Sequence, residues 1–151
     1  MKKIFALFFL LAGAVLCGID ISDFRPPANE VDEDVSVRDH RGMLVGRAYR
    51  SGNRVIYRDN HGKLLGTATI DGDHITYRDH HGMLVGTSRT YGNSTTYRDN
   101  HGQLQGTSRT YGNRTTYRDK HGRLQGSSDK SNGRTVYRDK HGRQSGSIRN
   151  R

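Results

Sequence analysis

The chain has one cysteine, Cys17, and no tryptophan. If an N-terminal segment ending near Cys17 is removed, no thiol remains, so disulfides within the chain are excluded as a source of stability. Large aliphatic side chains are also scarce. From Ile19 onward, Leu, Ile, Val and Phe number 20 in 133 residues. A share below about 20% combined with a high net charge is the compositional mark of disorder. A thick apolar core is thereby excluded, and a fold must rest on tyrosine packing, backbone pairing and repetition. Acidic residues form the minority: 15 Asp and Glu stand against 25 Lys and Arg, for a net charge of +10.

The first residues differ from the rest. Lys2 and Lys3 precede an apolar run from Ile4 to Leu16, with Ala12, Gly13, Ala14, Cys17 and Gly18 as small residues near its end. The run is too short for a comfortable membrane span, and Asp20 and Asp23 follow at once. Residues 1–18 are expected to be a cleaved signal peptide, and the protein to be exported to the periplasm, cell envelope or medium. Lipid attachment at Cys17 is disfavoured, because Leu16 stands where lipoprotein signals want a small residue. Loss of residues 1–18 takes the net charge from +10 to +8. Residues 19–36 form an acidic segment with Phe24 and the stretch Glu30 to Asp34, expected to fold back over the first repeats.

The rest, residues 37–149, repeats every 20 residues without drift. Tyr-Arg-Asp begins at Tyr57, Tyr77, Tyr97, Tyr117 and Tyr137, with Val37-Arg38-Asp39 as a degenerate first copy. Gly42, Gly62, Gly82, Gly102, Gly122 and Gly142 follow three residues after each Asp, and Gly46, Gly66, Gly86, Gly106, Gly126 and Gly146 four further on. A third set, Gly52, Gly72, Gly92 and Gly112, precedes Asn or Asp, and Asn132-Gly133 inverts the order while keeping the turn chemistry. Asp59-Asn60-His61-Gly62 reads as one turn and Ser51-Gly52-Asn53 as the other. Between them lie two short segments rich in β-branched residues and tyrosine.

A four-residue loop at Asn60 sets a register in which Tyr57 faces Leu64, Ile56 faces Leu65 and Val55 faces Gly66. Alternation then gives one tyrosine–leucine face (Val55, Tyr57, Leu64, Gly66) and one basic face (Ile56, Arg58, Lys63, Leu65). Pairs on the second face run from Ile56/Leu65 through Thr76/Val85 to Thr96/Gln105 and Thr116/Gln125. Gln144 and Ser145 then read as a solubilising end cap. The expectation is an all-β protein of six two-stranded units of about 20 residues, forming an antiparallel meander or hairpin strip, with a β-solenoid as the alternative.

Tyr117-Arg118-Asp119-Lys120-His121-Gly122-Arg123-Leu124, with Gly112-Asn113-Arg114-Thr115-Thr116 upstream, resembles the YD repeat of RHS-type exported proteins. That repeat has Tyr-Asp, two residues, Gly-Arg-Leu, then Gly-Asn and Thr-Thr. Here an Arg splits the Tyr-Asp pair, each unit adds a glycine, and the array is too short to enclose a cargo, so the family's shell function does not carry over. A weaker similarity in glycine and tyrosine spacing is to MORN repeats. Both resemblances imply hairpin architecture and leave activity open.

No constellation of unlike catalytic groups rises above the repeat, so an enzyme is not expected and no catalytic residue, metal or cofactor is assigned. His61, His81, His101, His121 and His141 recur in the turns at roughly 9–10 Å, twice the strand spacing. That is too far apart to share one zinc ion. The residues suited to a polymeric anion are Arg38, Arg58, Arg78, Arg98, Arg118 and Arg138, with Lys63, Arg123 and Arg143 beside some of them. The competing reading is a charged face that keeps the sheet wet. Expected partners are an anionic glycan, a lipopolysaccharide or another polyanion. An envelope protein, or further copies pairing through sheet edges, is the alternative. Sequence-specific nucleic-acid binding is not expected.

Overall fold

The computed structural model describes Ala28, Val31 and residues 34–150. The signal peptide, Cys17, Phe24 and most of the acidic stretch lie outside the described residues. The described chain forms twelve antiparallel strands: β1 (Asp34–Asp39), β2 (Leu44–Ser51), β3 (Arg54–Asp59), β4 (Leu64–Asp71), β5 (His74–Asp79), β6 (Leu84–Tyr91), β7 (Ser94–Asp99), β8 (Leu104–Tyr111), β9 (Arg114–Asp119), β10 (Leu124–Ser131), β11 (Arg134–Asp139) and β12 (Gln144–Asn150). Each pairs with its sequence neighbours, as a hairpin meander requires. The meander does not stay open, however. β12 pairs with β1, Val37 opposite Ile148, and the sheet closes into a barrel.

Closure follows from the register. Gly46 lies opposite Asp59 on one side of β3, and Tyr57 opposite Gly66 on the other. The ladder therefore slips by two residues per hairpin, and each later hairpin repeats the slip. A uniform stagger tilts the strands, typically by 35–45° in barrels, and curls the sheet until its edges meet. An open strip would have left β1 and β12 with unpaired backbone groups; closure satisfies them.

The turns are those the glycines demand. At one end, two-residue loops join paired residues such as Ser51 and Arg54. Gly52 there has φ +61°, and Asn132-Gly133 has φ +48° and +71°. These signs match the primed turns that follow the strand twist. At the other end, each Asp carboxylate organises a four-residue loop. Asp59 Oδ1 accepts from His61 N and Lys63 N, both at 2.9 Å. Its backbone N–H donates to the Lys63 carbonyl at 3.0 Å.

The expected pairing of faces is corrected by one residue. A β-bulge follows Tyr57, so Arg58 faces Leu64, Tyr57 faces Gly66, and Leu65 is the extra residue. The bulge recurs in every hairpin. It moves Leu64 to the outer face beside Arg58 and turns Leu65 inward. The interior is lined by Tyr57, Tyr77, Tyr97, Tyr117 and Tyr137, all buried, and by the small residues opposite them. Gly66 stays a glycine for space: a Cβ there would lie 2.5 Å from the Arg78 carbonyl oxygen.

The gradient from apolar to polar copies therefore runs around the inside. Val55, Ala68, Ile75 and Val85 give way to Ser88, Gln105, Ser108, Gln125 and Ser128, all buried. On the polar side each tyrosine hydroxyl meets a serine: Tyr77–Ser88 at 3.3 Å, Tyr97–Ser108 at 3.1 Å and Tyr117–Ser128 at 3.0 Å. Ala28 and Val31 are fully buried in one cluster with Val35, Ala48, Val55 and Tyr57. The segment ahead of β1 thus packs on the apolar half, as expected for its described residues. Gln144 and Ser145 cap no end: Gln144 pairs with Arg138, and Ser145 is buried.

Candidate anion-binding wall

Strand alternation separates the charges of every Tyr-Arg-Asp triplet. Tyr and Asp point inward or to the rim, and Arg points out. Residues 34–150 contain 21 Lys and Arg against 10 Asp, and six of those Asp are the loop-organising ones. The outer wall keeps few carboxylates to offset its cations.

The six expected arginines form one belt near the rim. Each does two things. Its Nη1 donates to the glycine carbonyl of its own loop, Arg38 to Gly42 and Arg58 to Gly62 at 2.7 Å, Arg98 to Gly102 and Arg118 to Gly122 at 2.8 Å. Arg78 and Arg138 do the same at 2.9 and 3.2 Å. The rest of each guanidinium fork lies on the outer face, where Arg58 Nε reaches the Tyr49 hydroxyl and Arg138 Nε comes within 3.8 Å of Asp129 Oδ2. The belt is thus both a set of loop clasps and a ring of outward cations.

Lys63, Arg123 and Arg143 stand higher, in the loops. Arg123 and Arg143 are drawn to the rim carboxylates, Arg123 Nε to Asp119 Oδ2 at 2.8 Å and Arg143 Nε to Asp139 Oδ2 at 3.0 Å. Desolvation at the rim would raise the Asp119 carboxyl, but the Arg123 N–H and guanidinium and the His121 N–H outweigh it, holding the pKa at about 2. Asp59 and Asp139 are lowered by the same balance, desolvation opposed by loop N–H groups and a nearby cation. These carboxylates remain ionised and occupied by the protein's own donors.

The structure adds arginines that the triplet does not announce. Arg54, Arg114 and Arg134 begin their strands, and Arg89, Arg109 and Arg149 lie opposite the strand-starting His74, Ser94 and Arg134, at the level of the two-residue turns. Their outward side follows from alternation once the bulge is known. Two like-charged pairs result, Arg47 opposite Arg58 and Arg134 opposite Arg149. Directly opposed like charges destabilise a sheet. Beside the first pair lies a groove of about 510 Å³ whose lining includes Arg47, Tyr49, Arg58 and His61. There Arg58 Nε donates to the Tyr49 hydroxyl at 3.3 Å, and its guanidinium lies 5.9 Å from that ring's centre.

Between the two arginine levels runs a band of Thr67, Thr76, Thr87, Thr96, Thr107, Thr116 and Ser127. Leucines share this outer face: Leu84, Leu104 and Leu124 are exposed opposite Arg78, Arg98 and Arg118, and Tyr91 and Tyr111 stand exposed at the two-residue turns. The turn histidines ring one rim, and among the described residues no three His, Cys, Asp or Glu side chains could hold a metal ion. No family model and no curated protein matches this chain.

Proposed function

We infer that the protein is a non-enzymatic exported binding module whose outer wall holds an anionic polymer. The observation that carries this reading is the sorting of the triplet, with arginine outward on every hairpin while each partner aspartate is engaged in its own loop. Evenly spaced guanidinium groups suit a polymer with a repeating charge, because many weak contacts add through effective concentration. The facing pairs Arg47/Arg58 and Arg134/Arg149 point the same way. A strip that pairs edge to edge is less well supported, since β1 and β12 already pair with each other.

Binding of fluorescein-labelled heparin tests it. Replacing Arg98, Arg118 and Arg138 by Glu should weaken binding at least about tenfold and flatten its salt dependence. Because those arginines clasp loops, Arg89→Ser with Arg109→Ser serves as a second variant that leaves every clasp intact and should weaken binding in the same direction. Unchanged affinity in both variants, with an unchanged β circular-dichroism spectrum, would overturn the arginine-wall reading.

A further inference from the structure

Two consecutive hairpins share a sequence that no other copy has. Arg-Thr-Tyr-Gly-Asn stands at 89–93 and again at 109–113, where the other two-residue turns carry Tyr-Arg-Ser-Gly-Asn, Thr-Ile-Asp-Gly-Asp and Asp-Lys-Ser-Asn-Gly. Its tyrosines differ from those of the triplet. Tyr57, Tyr77, Tyr97, Tyr117 and Tyr137 are buried, whereas Tyr91 is 86% exposed and Tyr111 61% exposed. A lone exposed aromatic needs no explanation, but the same one repeated on neighbouring turns forms a patterned surface.

Both rings stand on pinned turns. The threonine pair just ahead of each turn brings its Oγ1 atoms to 2.9 Å, Thr90 with Thr95 and Thr110 with Thr115. The Thr110 N–H donates to the Asn93 carbonyl at 2.9 Å, so the strand end that carries Tyr111 is tied to the turn that follows Tyr91. β6 and β8 lie two strand spacings apart, roughly 9–10 Å.

A cation stands between the two rings. Across the sheet Tyr91 pairs with Ser94, and Ser94 with Arg109, whose guanidinium lies 5.1 Å from the centre of the Tyr111 ring. Arg109 forms no ion pair among the described residues. Tyr111 in turn pairs with Arg114, which also reaches Ser127 Oγ at 3.4 Å. The order along this end of the wall is ring, cation, ring, cation. Two carboxylates among these cations are already engaged: Asp73 lies 3.5 Å from Arg89 and Asp129 3.9 Å from Arg114. A stacked sugar would bring hydroxyls that need acceptors, and a guanidinium has none. A nucleic-acid strand brings flat bases and phosphates in alternation, which suits this order.

We propose that the Tyr91–Tyr111 platform takes single-stranded nucleic acid, with bases stacked on the two rings and the phosphate between them on Arg109. Stacking on a π-face tolerates any base, so no sequence is read. The proposal rests on the arginine wall as a polyanion surface and names the polymer: the wall supplies charge, and the rings choose among anions.

The test compares labelled oligothymidylate, single-stranded and annealed to oligoadenylate, with labelled heparin on the full chain at one salt concentration. Tyr91→Ala with Tyr111→Ala should weaken the single strand at least about tenfold and leave the duplex and heparin affinities unchanged. Tyr91→Phe with Tyr111→Phe keeps both π-faces and should bind like the parent chain. A single strand unaffected by the alanine pair, or heparin weakened equally with it (the mark of a sugar on the rings), would overturn the stacking proposal while the wall stands. A parent chain that binds none of the three polymers would instead remove the wall, and the proposal with it.

Discussion

Val37 lies directly opposite Ile148 across the β1–β12 seam, and each is the exception in its own column. Val37 stands where the other hairpins have tyrosine, and Ile148 where they have alanine or serine. The two pack with Tyr117, Tyr137 and the partly buried Val45. A tyrosine–serine hydroxyl pair serves the continuous wall; the place where the ends meet is sealed by aliphatic contact.

Ile148→Ala should therefore destabilise the protein by about 2–5 kcal/mol, the range for removing a large buried aliphatic side chain. Urea unfolding followed by circular dichroism measures it. A loss below about 1 kcal/mol would mean that the seam is not closed by this pair.

Gly66→Ala should cost more than its size suggests, because the new methyl would meet the Arg78 carbonyl at 2.5 Å. Forcing atoms into a packed site typically costs about 1–3 kcal/mol. Gly62→Ala meets no atom but sits at φ +85°, where an L residue is strained by roughly 1–2 kcal/mol. Denaturation midpoints of both variants, measured together, separate crowding from backbone strain.

Tyr97→Phe and Ser108→Ala each remove one side of a buried hydroxyl pair 3.1 Å apart. Either alone should cost about 1–3 kcal/mol by stranding its partner. The double variant should cost less than the two together, a coupling that a thermodynamic cycle reads directly. Strict additivity would show that the hydroxyls do not support one another.

Acid should loosen the rim. The folded Asp119 carboxyl is held at about 2, below the ordinary 3.8. A lowered folded pKa gives stability that is present above 3.8 and is lost as pH falls toward 2. Asp59 and Asp139 act in the same direction. Thermal melts from pH 5 to pH 2 should show a falling midpoint, and Asp119→Asn should flatten that fall.

Strand and turn positions were legible because glycine, aspartate and tyrosine recur every 20 residues, and each has a backbone reason for its place. The outward ladder from Arg38 to Arg138 was legible for the same reason. The bulge after Tyr57 was not: nothing in Lys63-Leu64-Leu65-Gly66 states which leucine is the extra one, and that single residue decides which face each of them joins. Closure was hidden one level deeper. It depends on a two-residue stagger summed over the whole array, which no single repeat displays. The clasp between each Arg and its loop carbonyl was also out of reach, since it needs the loop's path in space. Arg54, Arg89 and their neighbours were visible as residues but had no side until the register was known.

The stagger has a consequence for how such a chain can vary. A row of near-identical 20-residue units invites gain or loss of a unit through misaligned recombination. A linear array absorbs such changes by growing or shrinking at its end. A ring cannot, because removing one tyrosine-bearing hairpin narrows the circumference around the four interior tyrosines that remain, and adding one widens the lumen. Copy number here is a dimension of the molecule: a seventh unit would have to rebuild the lumen before it could join the wall.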